Sequence, residues 1–448
     1  MASKARFNAL LLRCIGVGAL GGLLFGFDTA VVSGTTHALT MEFSLPPGAL
    51  GLTVSSALWG TVVGAIAAGI LGERLGGRAS LRILAVCYFV SAVGCACAPS
   101  WWALVLFRFI GGLGIGGSSV LAPVYLAEVS PAEWRGRVVG AFQINIVVGI
   151  LIAYLSNLTV ITAHPDLDAW RYQFGIGALP ALAFLLLLLG IPHSARWLVT
   201  KNRIAEARKV LAELGSSDCA ADLASIVESI RPNTRSEHEH ERLFQKRYSR
   251  PIFLAASIAF FNQMIGVNAI LYYLNDIFAA AGFSQISGTR QAVAIGTTNM
   301  LATVIALGLI DRIGRKRLLL IGSVGIAVCL TGVSAIFMTH SHQSWLLGLL
   351  VVYMGFFALS QGAVIWVYIG EVFPNRIRAK GQSLGSATHW VVNALISFAF
   401  PLIAARSDSY PFIFFTAMVV VQFFVVLIYY PETKGVTLEH LQQRLGID

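Results

Sequence analysis

The chain has 448 residues, of which 56% are hydrophobic and only 12% are charged, about half the charged fraction of a soluble globular protein. This composition argues against a soluble protein and favours one that crosses a membrane many times. A net charge of +10 would favour nucleic-acid binding in a soluble protein. Here the distribution of lysine and arginine explains the charge, so no nucleic-acid partner is expected.

Twelve apolar segments are long enough to span a bilayer, which takes about 18 residues or more. They lie near residues 9–36, 50–71, 81–99, 102–127, 137–160, 171–191, 251–280, 291–310, 318–338, 345–370, 380–404 and 410–430. The predicted fold is therefore an all-α membrane protein with twelve transmembrane helices in two six-helix halves. The expected domains are an N-terminal bundle at 1–193, a cytoplasmic helical insert at 194–250, a C-terminal bundle at 251–431 and a cytoplasmic tail at 432–448.

The polar insert between the halves is the one stretch that resembles soluble structure. Its residues 203–214 are predicted to form an amphipathic helix, and the highly charged residues 231–242 are predicted to form a loop. His238 and His240 in that loop could suggest a metal site, but a solvated loop is the favoured interpretation. We expect neither a metal nor a cofactor in this protein.

Lysine and arginine are concentrated on one side of the predicted bundle. With the N-terminus in the cytoplasm, the outer loops hold only Arg171, Arg290 and Arg406, and the cytoplasmic ends and the insert hold most of the others. Cytoplasmic loops of membrane proteins carry such an excess of positive charge. Both termini are therefore predicted to be cytoplasmic, with the chain embedded in the lipid bilayer of the cell (inner) membrane.

Two sequence motifs of the first half return in the second half. Residues 128–135 (EVSPAEWR) return 243 residues later as 371–378 (EVFPNRIR), and residues 73–76 (ERLG) return as 311–314 (DRIG). Two related halves in a very apolar chain indicate a duplicated membrane bundle, which is the organisation of a transporter built from parallel repeats.

Charged residues of these repeated motifs lie at the predicted cytoplasmic ends of the helices. We expect them to form ion pairs between helices that latch one conformation and release in another. The alternative is a solvated rim, in which ion pairs contribute little. The predicted latch residues are Arg74, Arg78, Glu128, Arg135, Arg312, Arg315, Glu371 and Arg378.

Two charges lie inside predicted membrane segments, where a charge costs about 2.5–3.5 kcal/mol on insertion scales and is a functional candidate for that reason. They are Asp28 in the first segment and Arg108 in the fourth, and we expect them to pair. If the cation moves away as a cavity opens, the carboxylate can take up and release a proton in each cycle. The alternative is a static buried pair that fixes helix packing.

Amide and aromatic side chains recur in the apolar segments, chiefly the seventh, eighth and eleventh. Asn268 and Tyr272 are four residues apart, as are His389 and Asn393, so each pair lies on one helix face. Amides that both donate and accept hydrogen bonds, beside aromatic faces, suit a neutral polyhydroxyl ligand such as a sugar. Each amide taken alone could instead make an interhelical hydrogen bond. The candidates are Gln143, Asn262, Gln263, Asn268, Tyr272, Asn299, Trp366, His389, Trp390 and Asn393.

Across essentially its whole length the chain resembles the sugar porter family of the major facilitator superfamily. Each motif alone is weak, but together they are highly specific. The matching motifs are residues 26–29 (GFDT), 108–112 (RFIGG), 123–128 (PVYLAE) through 135–136 (RG), 263–273 (QMIGVNAILYY) and 431–435 (PETKG).

The resemblance implies alternating access to a central sugar site in a bundle of twelve helices. It adds Phe25 and Gly362 to the sugar contacts named above. In proton symporters of the family a first-helix carboxylate matches Asp28, with Arg108 as its partner. Facilitative glucose transporters similar to this chain have asparagine at that position, so the aspartate favours symport.

The chain departs from the family pattern at several positions. Asn262 stands where the first glutamine of a Gln-Gln pair is usual, and His389 stands where glutamine or asparagine is usual, so the identity of the sugar stays open. His389 could also titrate near neutrality and add pH dependence. Residues 192–196 (PHSAR) replace a Pro-Glu-Ser-Pro-Arg pattern, which removes one acidic partner from the cytoplasmic ion pairs.

The predicted function is proton-coupled symport of a monosaccharide, either a hexose such as glucose or a pentose such as xylose, by a monomeric transporter. The alternatives are a facilitative uniporter and, in another class, a membrane sugar sensor that does not transport. We expect no enzymatic activity, since no nucleophile motif or metal spacing is present. The first half holds the charged pair and the second holds most amides and indoles, which predicts that the halves divide proton and sugar binding between them.

Overall fold

The computed structural model describes residues 9–130, 134–216, 218–230, 243–374, 376–436 and 438–447. Over these residues every element of regular secondary structure is a helix. The predicted loop at 231–242, with His238 and His240, lies outside the described residues.

The first half and the insert form ten α-helices. Those of the first half are α1 (Ala9–Val31), α2 (Thr36–Phe43), α3 (Pro47–Ala96), α4 (Trp101–Val129), α5 (Arg135–Ala163), α6 (Ala169–Ile176) and α7 (Ala178–Leu189). Those of the insert are α8 (Ala195–Thr200), α9 (Ile204–Glu213) and α10 (Cys219–Ile230). The amphipathic helix predicted at 203–214 corresponds to α9, whose Ala207 and Val210 are buried against α8 and α10.

The second half forms ten further helices. They are α11 (Ser249–Met264), α12 (Val267–Tyr272), α13 (Leu274–Ala280), α14 (Gln285–Ile313), α15 (Arg315–Thr339), α16 (Leu346–Leu359), α17 (Gln361–Val372), α18 (Arg378–Ala404), α19 (Tyr410–Tyr429) and α20 (Leu438–Leu445). Two of the predicted spans are interrupted, since α11, α12 and α13 together form one of them and α16 and α17 form another.

Eleven stretches of the described chain are long and apolar enough to cross a membrane, compared with the twelve predicted spans. The difference arises in α3, which runs for 50 residues and is about 75 Å long at 1.5 Å per residue. Gly76 has φ 81° and ψ 159° inside it and divides it into two spans. The chain is therefore a multi-pass membrane protein.

The chain divides into two compact units. The first takes its described residues from Met1–Val31, Ser56–Ser156 and Trp170–Ser236, and the second from Val32–Ser55, Asn157–Ala169 and Glu237–Asp448. Each unit has its own apolar core. Large buried side chains include Tyr125 and Phe184 in the first and Tyr368 and Phe373 in the second.

Within the first unit, glycines let helix backbones touch. A Cβ atom built on Gly22 or Gly26 of α1 would overlap a carbonyl oxygen of α5, that of Phe142 or Ile146. Small residues allow such close approach, and membrane helices rely on it because lipid supplies no hydrophobic drive for helix association. The α1–α5 contact fixes the part of α1 that carries Asp28.

Candidate functional site

An ion pair lies inside the first unit, between α1 and α4. Arg108 Nη1 is 3.6 Å from Asp28 Oδ2, and the side chains are 3% and 20% exposed. This distance exceeds that of a hydrogen bond between a guanidinium and a carboxylate, which is about 2.7–2.9 Å. The two charges therefore attract each other without a direct hydrogen bond between them.

The surroundings of Arg108 leave Asp28 as its main counter-charge. Its guanidinium carbon lies 5.5 Å from the centre of the Phe174 ring. Neither Nε nor Nη1 has a hydrogen-bond partner among the described residues. The carboxylate of Asp28 is the counter-charge beside this buried guanidinium, so the charge state of Asp28 influences the position of Arg108.

Two predicted sugar contacts belong to the same unit as this pair. Phe25 is on α1, one turn before Asp28, and its carbonyl oxygen accepts a hydrogen bond from Thr29 Oγ1 at 2.8 Å. Gln143 is on α5. Both side chains are half-buried, as expected for groups that line a cavity.

In the second unit, a break between α11 and α12 brings amides together. Gly266 has φ +84°, a left-handed conformation that glycine adopts without strain, and a Cβ atom there would also overlap the Phe415 ring. The break turns Asn268 back towards Gln263, so that Asn268 Nδ2 donates to Gln263 Oε1 at 2.8 Å.

The amide cluster continues to α18. Gln263 Nε2 donates to Asn262 Oδ1 at 3.0 Å and lies 3.1 Å from Nδ1 and 3.2 Å from Nε2 of His389. An amide NH₂ group only donates, so the His389 ring must act as the acceptor in this contact. This contact favours the neutral imidazole and does not support a role for His389 in pH dependence.

Aromatic rings flank the amide cluster. The His389 ring centre is 5.1 Å from that of Trp366 and 5.0 Å from that of Trp390. Trp390 is buried, whereas Trp366 is 38% exposed, so part of its indole is free to stack on a ligand. An indole face next to amide groups is a suitable surface for the C–H face of a sugar.

A second polar group lies one turn further along α18. Asn393 Nδ2 donates to Tyr272 Oη at 3.2 Å, and its Oδ1 accepts from Ser397 Oγ at 3.2 Å. Asn299 is buried in α14, and Gly362 lies in the first turn of α17. The structure thus joins Asn393 to Tyr272 and places the remaining predicted sugar contacts on α14 and α17 of the same unit.

Two of the four latch residues predicted in the second half, Arg315 and Glu371, form an ion pair. Arg315 Nη2 is 2.9 Å from Glu371 Oε1, and its Nη1 is 3.0 Å from Asp311 Oδ1. The other oxygen of Glu371 accepts from Thr433 Oγ1 at 2.6 Å. Network members fix one another's geometry, so this group can contribute more than isolated surface ion pairs do.

The other predicted latch residues differ in how far their side chains are exposed. Arg74 and Arg312 are exposed, and Arg78, Glu128 and Arg378 are half-buried. The Nε atoms of Arg78 and Arg378 have no partner among the described residues. The side chain of Arg135 lies outside the part of the chain that the structure describes.

Glu432 belongs to the same network, although the sequence identified it only as part of the 431–435 motif. Its carboxylate accepts from the backbone N–H groups of Arg315 at 2.9 Å and Lys316 at 3.1 Å. It also accepts from those of Thr433 and Lys434 at 3.0 and 3.1 Å. A carboxylate at this position satisfies the free N–H groups at the start of α15 and complements its helix dipole.

Replacing Glu432 with alanine is expected to destabilise the protein by about 1–2 kcal/mol, the upper range for loss of a helix cap. The melting temperature in detergent measures this effect. The control is Asp408→Ala, which removes an exposed carboxylate of the same unit. Equal melting temperatures for the two variants would refute the capping role of Glu432.

At the boundary between the bundle and the insert, His193 stands where the family resemblance implies a glutamate. Its ring stacks on Trp197, with centres 4.6 Å apart and planes at 19°. Burial and then the field of Arg78, with further contributions from Arg203 and Arg82, lower the pKa of His193. The lowered pKa favours the neutral imidazole in this stack.

The lowered pKa of His193 makes stability depend on pH. The unfolded chain binds this proton near the ordinary pKa of about 6.5, above the pKa in the folded protein. The stabilising contribution of the neutral His193 is therefore present above that pH, and the free energy of unfolding decreases as the pH falls below it. Between about pH 7.5 and pH 5.5 the melting temperature of the wild type should fall more than that of His193→Gln. A His37→Gln control, which removes an exposed histidine, should match the wild type. Equal pH dependence in all three proteins would contradict the prediction.

The chain is similar to known sugar transporters. The family profile described as Sugar (and other) transporter matches residues 14–445. The D-xylose-proton symporter of Escherichia coli (strain K12) is 33% identical, over 95% of this chain and 94% of the relative. The glucose transporter GlcP of Staphylococcus epidermidis is 32% identical, over 96% of each chain.

Solved structures show the same fold. The inward open conformation of the xylose transporter XylE from E. coli superimposes with a TM-score of 0.85 at 32% identity, over 97% of this chain and 99% of the other. Its partially occluded inward open conformation gives a TM-score of 0.84 at 31% identity, over 96% and 100%. The predicted fold class, an all-α transporter fold of the major facilitator superfamily, is confirmed. The chain belongs to the sugar transporter family.

Proposed function

We propose that this protein is a secondary active transporter that couples the entry of a monosaccharide to the entry of protons by alternating access. The observation that carries the proposal is the Asp28–Arg108 pair, an ion pair inside a membrane bundle at 3.6 Å with the arginine 3% exposed. A buried charge pair whose partners are not hydrogen-bonded to each other is costly as a purely structural element. It is well suited to a carboxylate that gains and loses a proton.

In this mechanism Asp28 carries the proton and Arg108 responds to it. While Asp28 is ionised, its charge holds the guanidinium. When Asp28 takes up a proton, the attraction is lost and Arg108 is free to shift, which favours a different packing of α1 and α4. Protonation therefore changes the relative stability of two conformations, as coupling requires.

The amide cluster and the indoles of the second unit bind the sugar. The amides of Gln263, Asn268 and Asn393 donate and accept hydrogen bonds, and Trp366 offers an open aromatic face. We also propose Phe25 and Gln143 as sugar contacts. The names of three relatives support the substrate class, namely a D-xylose-proton symporter, a galactose-proton symporter and a glucose transporter. The first two names also support proton coupling. The substrate is therefore a hexose such as glucose or a pentose such as xylose.

Further features of the proposal concern the whole protein. It acts as a monomer in the inner membrane with both termini in the cytoplasm, as the distribution of lysine and arginine favours. No bound cofactor takes part, and the proton is the coupling ion. The network of Arg315, Glu371 and Glu432 serves as a latch that forms in one conformation and is broken in another.

Counterflow in proteoliposomes tests the substrate class. Vesicles loaded with one unlabelled sugar at a time, from a panel of hexoses, pentoses and a disaccharide, are diluted into trace radiolabelled glucose or xylose. We expect transient uptake of label with at least one monosaccharide and none with the disaccharide. Absence of counterflow with every monosaccharide would refute the proposed function.

A further inference from the structure

A buried polar chain in the second unit lies behind the amide cluster. Gln422 of α19 donates through Nε2 to Gln361 Oε1 at 2.8 Å, and Gln361 Nε2 donates to Ser323 Oγ of α15 at 3.3 Å. The exposed fractions of Gln361, Gln422 and Ser323 are 0%, 1% and 1%. Three helices therefore meet at the side chain of Gln361.

Gln361 occupies a specific place in the backbone. It is the first residue of α17 and follows Ser360, whose φ of −119° and ψ of −83° end the preceding helix. Its carbonyl oxygen accepts a hydrogen bond from Asn262 Nδ2 of α11 at 3.3 Å. The side chain of Gln361 is thus anchored on α15 and α19, while its carbonyl holds the first amide of the sugar site.

This contact determines which way each amide of the cluster points. A carbonyl oxygen can only accept, so Asn262 must present its NH₂ group to Gln361 and its oxygen to Gln263. Gln263 must then present its NH₂ group to Asn262, which leaves Oε1 to accept from Asn268. The order of donors and acceptors therefore runs from the helix break at Gln361 to Asn268.

The same order reaches His389. The NH₂ group of Gln263 lies 3.1 Å from Nδ1 and 3.2 Å from Nε2 of His389, so the imidazole is the acceptor towards this amide. Asn268 donates through Nδ2 to Gln263 and is left with its side-chain oxygen as an acceptor. That oxygen is the group that this order leaves for a hydroxyl-rich ligand.

The polar chain is costly as a core element. Gln422 Oε1 is buried and has no hydrogen-bond partner among the described residues, and an unsatisfied buried acceptor destabilises a protein relative to an apolar side chain of similar size. An apolar residue at this position would pack α19 against α17 at lower cost. A role beyond packing accounts for the amide.

We propose that Gln361 and Gln422 are positioning residues of the sugar site, which hold the break before α17 and thereby fix the donors and acceptors that the amide cluster presents. Neither side chain contacts the ligand in this arrangement. The inference rests on the proposed function, because it concerns the binding of the same monosaccharide.

The test uses the purified full-length chain and the monosaccharide selected by counterflow. Gln422→Leu keeps the volume and removes the hydrogen bond to Gln361, and Thr416→Val on the same helix removes only a local bond to the Phe412 carbonyl. We expect Gln422→Leu to weaken sugar affinity and raise KM about tenfold, as loss of one well-placed hydrogen bond does. Its maximal rate and melting temperature should stay near those of the wild type, and Thr416→Val should change neither affinity nor rate.

A double variant separates positioning from general damage. If Gln422 acts through Asn262, then adding Gln422→Leu to Asn262→Ala should weaken affinity little further, since residues of one network are not additive. Wild-type affinity in Gln422→Leu, or full additivity in the double variant, would overturn the inference and leave the proposed function intact. Absence of sugar binding by the wild type would overturn both.

Discussion

Replacement of Asp28 by asparagine is expected to abolish accumulation of sugar against its gradient while sparing exchange of sugar down its gradient. Asparagine has nearly the same shape as aspartate but cannot gain or lose a proton, so it mimics the protonated state permanently. Arg108, 3.6 Å away in the wild type, then loses the charge that holds it in every step of the cycle. Sugar can still bind and exchange, but no proton gradient drives its net entry.

The measurement is the steady-state ratio of internal to external labelled sugar in proteoliposomes with an imposed proton gradient, together with the rate of equilibrium exchange. We expect the ratio to fall to about one, with exchange within about threefold of the wild type. Asp408→Asn, which neutralises an exposed carboxylate, should keep both properties. A variant with Asp28→Asn that concentrates sugar as the wild type does would show that the proton is carried elsewhere.

Alanine at Gly26 is expected to prevent correct packing of the first unit. A Cβ atom at this position would overlap the carbonyl oxygen of Ile146, with Ile150 N also too close. Backbone atoms cannot move aside as a flexible side chain can, so α1 must separate from α5 at a cost of about 3 kcal/mol or more. Because Asp28 lies two residues further along α1, transport should be lost as well.

Gly140→Ala on α5 is the matched control. A Cβ atom at Gly140 has no atom within 4 Å, and alanine is favoured over glycine in a helix by about 0.5–1 kcal/mol. The melting temperature in detergent should therefore rise slightly or stay unchanged for Gly140→Ala and fall strongly for Gly26→Ala. Similar melting temperatures for the two variants would contradict the close packing of α1 on α5.

Much of the fold could be predicted because the bilayer imposes a simple pattern. Long apolar segments placed the spans to within a few residues, and an amphipathic pattern located α9. The breaks within the helices were harder to predict from the sequence. The sequence did not show that Gly76 would divide one continuous helix, or that Ser360 would end α16 directly before Gln361, because such breaks depend on neighbouring helices as well as on the residue itself.

In the candidate site, too, some residues could be predicted from the sequence and others could not. Asp28 and Arg108 were identified because a charge in a membrane segment is costly and conspicuous in a sequence. Gln361 and Gln422 were not assigned a role, because an isolated glutamine in an apolar segment gives no sign of its partner. Their partners are brought together only by the packing of α15, α17 and α19.

The two halves carry different chemistry in the structure. The charged pair lies wholly within the first unit, and the cluster of Asn262, Gln263, Asn268 and His389 lies wholly within the second. The division of proton and sugar binding between the halves stays a prediction. Duplication preserved the acidic and basic residues of the cytoplasmic ends, while the central positions diverged.

Proton entry that depends on sugar is the most direct test of coupling. A pH electrode records a lightly buffered, de-energised suspension of cells that express the wild-type chain, and the selected monosaccharide is then added. We predict immediate alkalinisation of the medium that a protonophore abolishes and that Asp28→Asn lacks. Sugar entry without any alkalinisation would contradict proton coupling and would identify the protein as a facilitative uniporter.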